Sequence, residues 1–136
     1  MAERPTPDAV FKRLTERKPT IFFGVPTLYA AMLASPAFPK KEVLNLRTCI
    51  SAGEALPPQI AKSFKERTGI DILDGIGSTE LFHIFISADE AHARPGATGL
   101  PVPGYRACLL GDDGQPVPES NFVSDANSGR SQHLQA

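Results

Sequence analysis

The sequence predicts an α/β fold, part of a mostly parallel sheet with helical crossovers, followed by a short C-terminal β segment. Three observations predict it. Helix-periodic and strand-like stretches alternate from residue 7 to residue 74. The strand-like stretches are short and nearly all apolar, as strands covered on both faces are. Two of them open at their C-terminal ends into small-residue turns, at the edge where open parallel sheets bind ligands.

Thr6 before Pro7 and Asp8 is a helix start, with a hydroxyl cap, proline in the first turn and an acid facing the helix dipole. The helix is expected over 7–17, with Val10, Phe11 and Leu14 on one face and Lys12, Arg13, Glu16 and Arg17 mostly on the other. Thr20-Ile21-Phe22-Phe23-Gly24-Val25 reads as the first strand, which Pro26 ends. Leu28, Tyr29, Met32 and Leu33 at helical spacing predict a helix over 27–33, closed by Ser35-Pro36. The second strand, Leu46-Arg47-Thr48-Cys49-Ile50-Ser51, opens into Ala52-Gly53-Glu54-Ala55-Leu56. Pro57 and Pro58 start the next helix, with Ile60 and Phe64 inward and Gly69 as a left-handed stop.

The third strand, Ile70-Asp71-Ile72-Leu73, runs into the Gly-rich stretch Asp74-Gly75-Ile76-Gly77-Ser78-Thr79-Glu80. Gly75 and Gly77 suit a sharp turn that brings the backbone close to a ligand. Ser78, Thr79 and Glu80 then place two hydroxyls and a carboxylate at the start of the following element, read here as a helix start. Such a set suits phosphate oxygens and the Mg²⁺ that accompanies ATP. The plain alternative is an ordinary strand-to-helix turn with a capping hydroxyl. Loops 51–56 and 74–80 fall on the same sheet edge, and two such loops side by side make a pocket.

Beyond residue 86 the pattern changes to a polar stretch with His92 and a Gly/Pro-spaced segment over 94–104. Ala107, Cys108, Leu109 and Leu110 before Gly111-Asp112-Asp113-Gly114 predict a strand and tight turn, with Val117 opening a hairpin partner. Residues 1–118 thus read as one domain or a piece of one, and 119–136, rich in Ser, Asn and Gln, as a disordered tail.

Composition bounds the function. With 136 residues and 41% apolar content the chain holds one domain or a piece of one. A net charge of -1 with no basic face speaks against nucleic acid. No apolar stretch approaches the roughly 20 residues of a membrane span, and the N-terminus has no signal pattern, so no membrane partner and a cytoplasmic setting are expected. Cys49 and Cys108 lack metal-ligand spacing and read as buried free thiols.

Four motifs together resemble the middle of an adenylate-forming enzyme, the superfamily of acyl- and aryl-CoA synthetases. Pro19-Thr20-Ile21-Phe22-Phe23-Gly24-Val25-Pro26-Thr27 resembles its "P-T-x-x-x-x-V-P-T" strand and helix. Ser51-Ala52-Gly53-Glu54-Ala55-Leu56 resembles its adenine-side loop, Asp74 to Glu80 its "Y-G-x-T-E" motif, and Gly96, Gly99, Pro101 and Gly104 the following "G-x-x-G-x-P-x-x-G" segment. The likeness covers about residues 5 to 118 and is greatest to benzoate- and 4-hydroxybenzoate-CoA ligases.

The resemblance implies that Gly53, Glu54 and Ala55 pack against adenine and that Asp74 with the Gly75 backbone reads its amino edge. Gly77 and Ser78 belong to the same nucleotide motif. Thr79 would contact the α-phosphate and Glu80 would help hold Mg²⁺, making these two the catalytic residues. Ile76 stands where most of the superfamily has an aromatic, so aliphatic packing replaces stacking there, as in the benzoate-type ligases. Those ligases also place a histidine near the aryl-acid pocket at the position of His83. Within its apolar run His83 reads equally as a core histidine with a partner. Phe22, Phe23, Val25, Tyr29 and Ala52 are further pocket-wall candidates, each with the core as its alternative.

The implied reaction joins a carboxylate to ATP, releasing pyrophosphate, and then passes the acyl group from the adenylate to coenzyme A. The superfamily's phosphate loop, ribose-binding aspartate, hinge and C-terminal catalytic lysine have no match in the chain, so a partial protein is expected, inactive in isolation. A non-catalytic adenine-nucleotide module and a purely structural α/β domain are the alternatives.

Overall fold

The computed structural model describes residues 5–94, 96–117 and 133–135, the last three by backbone alone. Helix α1 spans Pro7–Arg17, with the Thr6 hydroxyl accepting from the Ala9 amide at 3.4 Å and Lys18 closing it in the left-handed region. Strand β1 is Ile21–Gly24 and α2 is Pro26–Ala34, one residue longer at each end than the spacing predicts. Proline is compatible with the first helical position, where no amide donor is required, so Pro26 both ends the strand and begins the helix. A 3₁₀ turn at Lys41–Val43 leads to β2, Thr48–Ala52. Helix α3 runs Pro58–Thr68 and stops at Gly69, whose φ of 77° suits glycine. Strands β3, Ile72–Gly77, and β4, Ile84–Ser87, follow, then the short β5, Leu100–Pro101, and β6, Cys108–Leu110.

The five-stranded sheet has the order β1-β2-β3-β4-β5. β1, β2 and β3 are parallel neighbours, whereas β4 and β5 add in antiparallel fashion. The mostly parallel sheet with helical crossovers is therefore observed. The crossover from β3 is not helical: the stretch after Glu80 turns back and pairs with β3, Ile76 opposite Ile86. The expected helix start at residues 78–80 is corrected accordingly. The run Leu81-Phe82-His83-Ile84-Phe85-Ile86 has no helical polar face, and its aromatic and β-branched residues fit a strand.

The core lies on one side of the sheet. Phe11, Phe38, Phe64, Tyr29 and Phe22 form a chain of edge-to-face ring contacts with centroids 5.3, 6.1, 5.3 and 5.6 Å apart, joined by Met32, Cys49 and Ile72. Such contacts add to the apolar burial that holds α1, α2 and α3 on this face. The opposite face is open at β1: Ile21 is 44% and Phe23 56% exposed. The expectation of doubly covered strands thus fails at β1, because all three helices lie against the same rows, those of Phe22, Cys49 and Ile72.

The hairpin expected near residue 110 is present as backbone bonds from Gly111 to the Gln115 carbonyl and from Val117 to that of Leu109. On its other side β6 pairs with β7, His133–Gln135, antiparallel. Most of the expected irregular tail lies outside the described residues. At 133–135 the structure differs from that expectation, since ladder pairing uses backbone groups that any sequence supplies.

Candidate functional site

The parallel register sets the two predicted loops side by side. Ser51 lies opposite Asp74 and Ala52 opposite Gly75, so Gly53, Glu54 and Ala55 leave the sheet beside Ile76 and Gly77. Gly53 has a φ of 93°, which side chains rarely adopt, and a Cβ there would come within 3.8 Å of Val25 Cγ1. Gly53, Glu54 and Ala55 are exposed, as are Ile76, Gly77, Thr79 and Glu80, while Ala52 and Ser78 are half-buried.

Gly75 and Gly77 do not form the turn; they belong to β3 itself. Their missing side chains admit the returning hairpin: a Cβ on Gly75 would lie 2.7 Å from Ile84 Cδ1, and one on Gly77 2.9 Å from the His83 carbonyl oxygen. The turn lies further on, where the Phe82 amide donates to the Thr79 carbonyl and Phe82 takes a φ of 64°. Tyr105 Oη donates to the Leu81 carbonyl at 3.0 Å and ties this turn to the later chain. Ser78, Thr79 and Glu80 therefore stand in a strand-to-strand turn, and no helix dipole assists them.

Asp74 is held by a residue that sequence reasoning did not single out. Its Oδ2 accepts from Thr98 Oγ1 at 3.1 Å, and its backbone carbonyl accepts from Ser87 Oγ at 2.8 Å. Its Oδ1 is buried with no hydrogen-bond partner among the described residues. Thr98 lies 24 residues away, and the spacing of glycines around it was its only signal. A cavity of about 540 Å³ borders Asp74 on the helix side, between α3 and the segment carrying Arg94, Ala97 and Thr98. Of the predicted residues it touches only Asp74.

His83 and Tyr29 separate. His83 is exposed on the open face of the sheet, its ring edge-to-face with Phe23 at 6.4 Å between centroids. It is not a core histidine. Tyr29 is fully buried on the other face and donates to the Ile50 carbonyl at 2.9 Å, so the sequence expectation of a pocket wall is corrected there. Helical periodicity put Tyr29 on the inner face of α2, packed between Phe22 and Phe64. Phe23 and Ala52 remain on the open side with His83.

Among the described residues no three His, Cys, Asp or Glu side chains cluster as metal ligands. Glu80 offers a single exposed carboxylate, which fits Mg²⁺ only in the manner of a cation held chiefly by nucleotide phosphates. The Asp74 carboxylate, with acceptor capacity left at Oδ2 beside its bond from Thr98, and the exposed small-residue loop fit an adenine edge.

The model of the family described as AMP-binding enzyme matches residues 1–123. The chain is 56% identical over 125 residues to a benzoate–CoA ligase of Thauera aromatica, covering 92% of this chain and 24% of that protein. It is 47% identical over 131 residues to a 4-hydroxybenzoate–CoA/benzoate–CoA ligase of Rhodopseudomonas palustris, covering 95% of this chain and 24% of that protein. Among solved structures, a benzoate CoA ligase from Burkholderia xenovorans LB400 superposes with a TM-score of 0.83 at 54% identity over 87% of this chain and 24% of its own. An anthranilate CoA ligase in complex with anthranoyl-AMP gives 0.76 at 47% identity over 82% of this chain and 22% of its own. The chain spans about a quarter of the length of these relatives. With a family model that takes in nearly all of its residues, the chain belongs to the AMP-binding enzyme family.

Proposed function

We propose that this chain is the nucleotide- and acid-facing part of an aryl-CoA ligase that activates benzoate-type acids with ATP and transfers them to coenzyme A. The observation that carries this reading is the register that sets Ala52 beside Gly75 and Ser51 beside Asp74 in a chain 56% identical to a benzoate–CoA ligase. In the reaction a carboxylate oxygen attacks the α-phosphorus and pyrophosphate leaves. The thiol of coenzyme A then attacks the acyl carbon, its proton is lost, and AMP leaves.

The residues divide between the two faces of the edge. Gly53, Glu54 and Ala55 form one side of an adenine slot, with Ile76 providing aliphatic contact on the other. Asp74 accepts from the adenine amino group, which an ionised carboxylate does well because it only accepts. Gly77 and Ser78 carry the backbone past the phosphates, and the Thr79 hydroxyl donates to an α-phosphate oxygen. Glu80 would hold Mg²⁺, whose chemistry is to neutralise phosphate charge. His83 and Phe23, in ring contact on the open face, form a polar and an apolar wall for an aryl acid. This pairing of one polar group with an aromatic edge favours planar acids, the substrates of an aromatic-acid degradation route.

The test places residues 5–118 into the matching region of a benzoate–CoA ligase and assays acid-dependent pyrophosphate exchange with variants. Glu80→Gln is expected to lower the rate by between one and two decades, about 2 kcal/mol, with the fold retained. His83→Ala should change the ratio of kcat/KM between benzoate and an aliphatic acid more than it changes the KM for ATP. Equal loss for every acid, in step with lost thermal stability, would remove His83 from the acid pocket.

A further inference from the structure

Ser51 and Asp74 face one another across adjacent parallel strands, and both project to the helix-covered side, two residues beyond the core positions Cys49 and Ile72. Ser51 is fully buried. Its Oγ and Asp74 Oδ1 are both buried without a hydrogen-bond partner among the described residues. Asp74 is thus held at Oδ2 by Thr98 and at its carbonyl by Ser87, but Oδ1 has no counterpart.

The two unpaired atoms are chemically complementary. A serine hydroxyl can donate, and an ionised carboxylate oxygen can only accept. Either one left alone in the interior carries the desolvation cost of a buried polar group. At the strand spacing of about 4.8 Å, opposed side chains on one face are within direct reach of each other.

We propose that Ser51 is a positioning residue for Asp74: a turn of its side chain about χ1 lets the hydroxyl donate directly to Oδ1, the buried acceptor opposite it. With Thr98 on the other oxygen, this fixes the carboxylate plane. The consequence for ligands rests on the nucleotide reading above. A carboxylate fixed at both oxygens keeps the second acceptor position of Oδ2 aimed at an amino-bearing base edge, so Ser51 sets discrimination between 6-amino and 6-oxo purines without touching either.

The experiment uses the 136-residue chain and two readouts. Urea unfolding of Ser51→Ala, Asp74→Ala and the double variant should be non-additive by at least about fivefold in the folding equilibrium constant, about 1 kcal/mol. Titration with AMP and with IMP should show the preference for AMP reduced about fivefold by Ser51→Ala, abolished by Asp74→Ala, and restored by Ser51→Thr, which keeps the hydroxyl. Additive unfolding, or no cooperative unfolding at all, overturns the proposal. So does an AMP-to-IMP ratio that Asp74→Ala changes and Ser51→Ala does not, an outcome that leaves the nucleotide reading intact. A ratio unmoved by Asp74→Ala overturns that reading and the positioning role with it.

Discussion

Cys49 shows how far one buried residue departs from its free chemistry. Fully buried and next to the Tyr29 ring, its thiol is pushed up by burial from 9.0 to about 12, although the Tyr29 hydroxyl pulls it the other way. Burial raises the Tyr29 hydroxyl as well, and the nearby Cys49 adds to this. Both groups are neutral in the fold and ionise first in the unfolded chain. Stability is therefore whole below pH 9 and falls as pH rises from there toward 12, by up to about 1 kcal/mol per pH unit for Cys49 alone. Urea midpoints measured between pH 7 and 10.5 check this; a flat profile would contradict the buried placement. In the native chain at pH 8 a thiol reagent should leave Cys49 unmodified and reach it only in denaturant. At this scale the sequence was informative wherever a periodicity existed: Val10, Phe11, Leu14 and Phe64 are buried as their spacing predicts. It was silent on Thr98 and left Tyr29 open between core and pocket wall, since no pattern in one chain tells which face of a sheet a helix will cover.

The element that sequence reading described least well is β3, with the turn that follows it. Glycines usually punctuate, and Gly75 and Gly77 read as a turn, yet they extend β3 and make room for β4 to fold back on it. The physical reason is the side chain of Ile84, which occupies the place of a Gly75 Cβ. Periodicity cannot reveal a contact between residues nine apart when the turn between them is itself irregular. Gly75→Ala is accordingly expected to destabilise the chain by about 2 kcal/mol through overpacking, with Ile84→Ala in the same chain recovering much of the loss. Thermal melts of the two singles and the double check it. Independent losses that simply add would mean that Ile84 does not pack over Gly75. The other elements were legible because their ends carry local chemistry: Thr6 and Pro7 open α1, Pro58 opens α3 and Gly69 closes it.

At the scale of the molecule, the described residues form a sheet with helices on one side and two small-residue loops at its edge. Alternation of helix and strand is enough to give a parallel β1-β2-β3 order, because a helical crossover between neighbouring strands makes them parallel. What covers the second face is not encoded in the local pattern. Ile21, Phe23 and, at 95% exposure, Phe82 stay open, and among the described residues β1 is an unpaired edge. Such a surface favours association. The purified chain is expected to sediment as concentration-dependent oligomers at about 100 μM, and Ile21→Lys with Phe82→Ser to shift it toward monomer. A monodisperse wild-type monomer would contradict this. The central claim is that these residues supply the nucleotide and acid edge of an aryl-CoA ligase, and one assay addresses it directly. Pyrophosphate exchange is measured for a benzoate–CoA ligase whose matching region is replaced by residues 5–118, beside the 136-residue chain alone. The account predicts benzoate-dependent exchange in the hybrid, preferred over an aliphatic acid, and none from the isolated chain; a folded hybrid without benzoate-dependent exchange would contradict it.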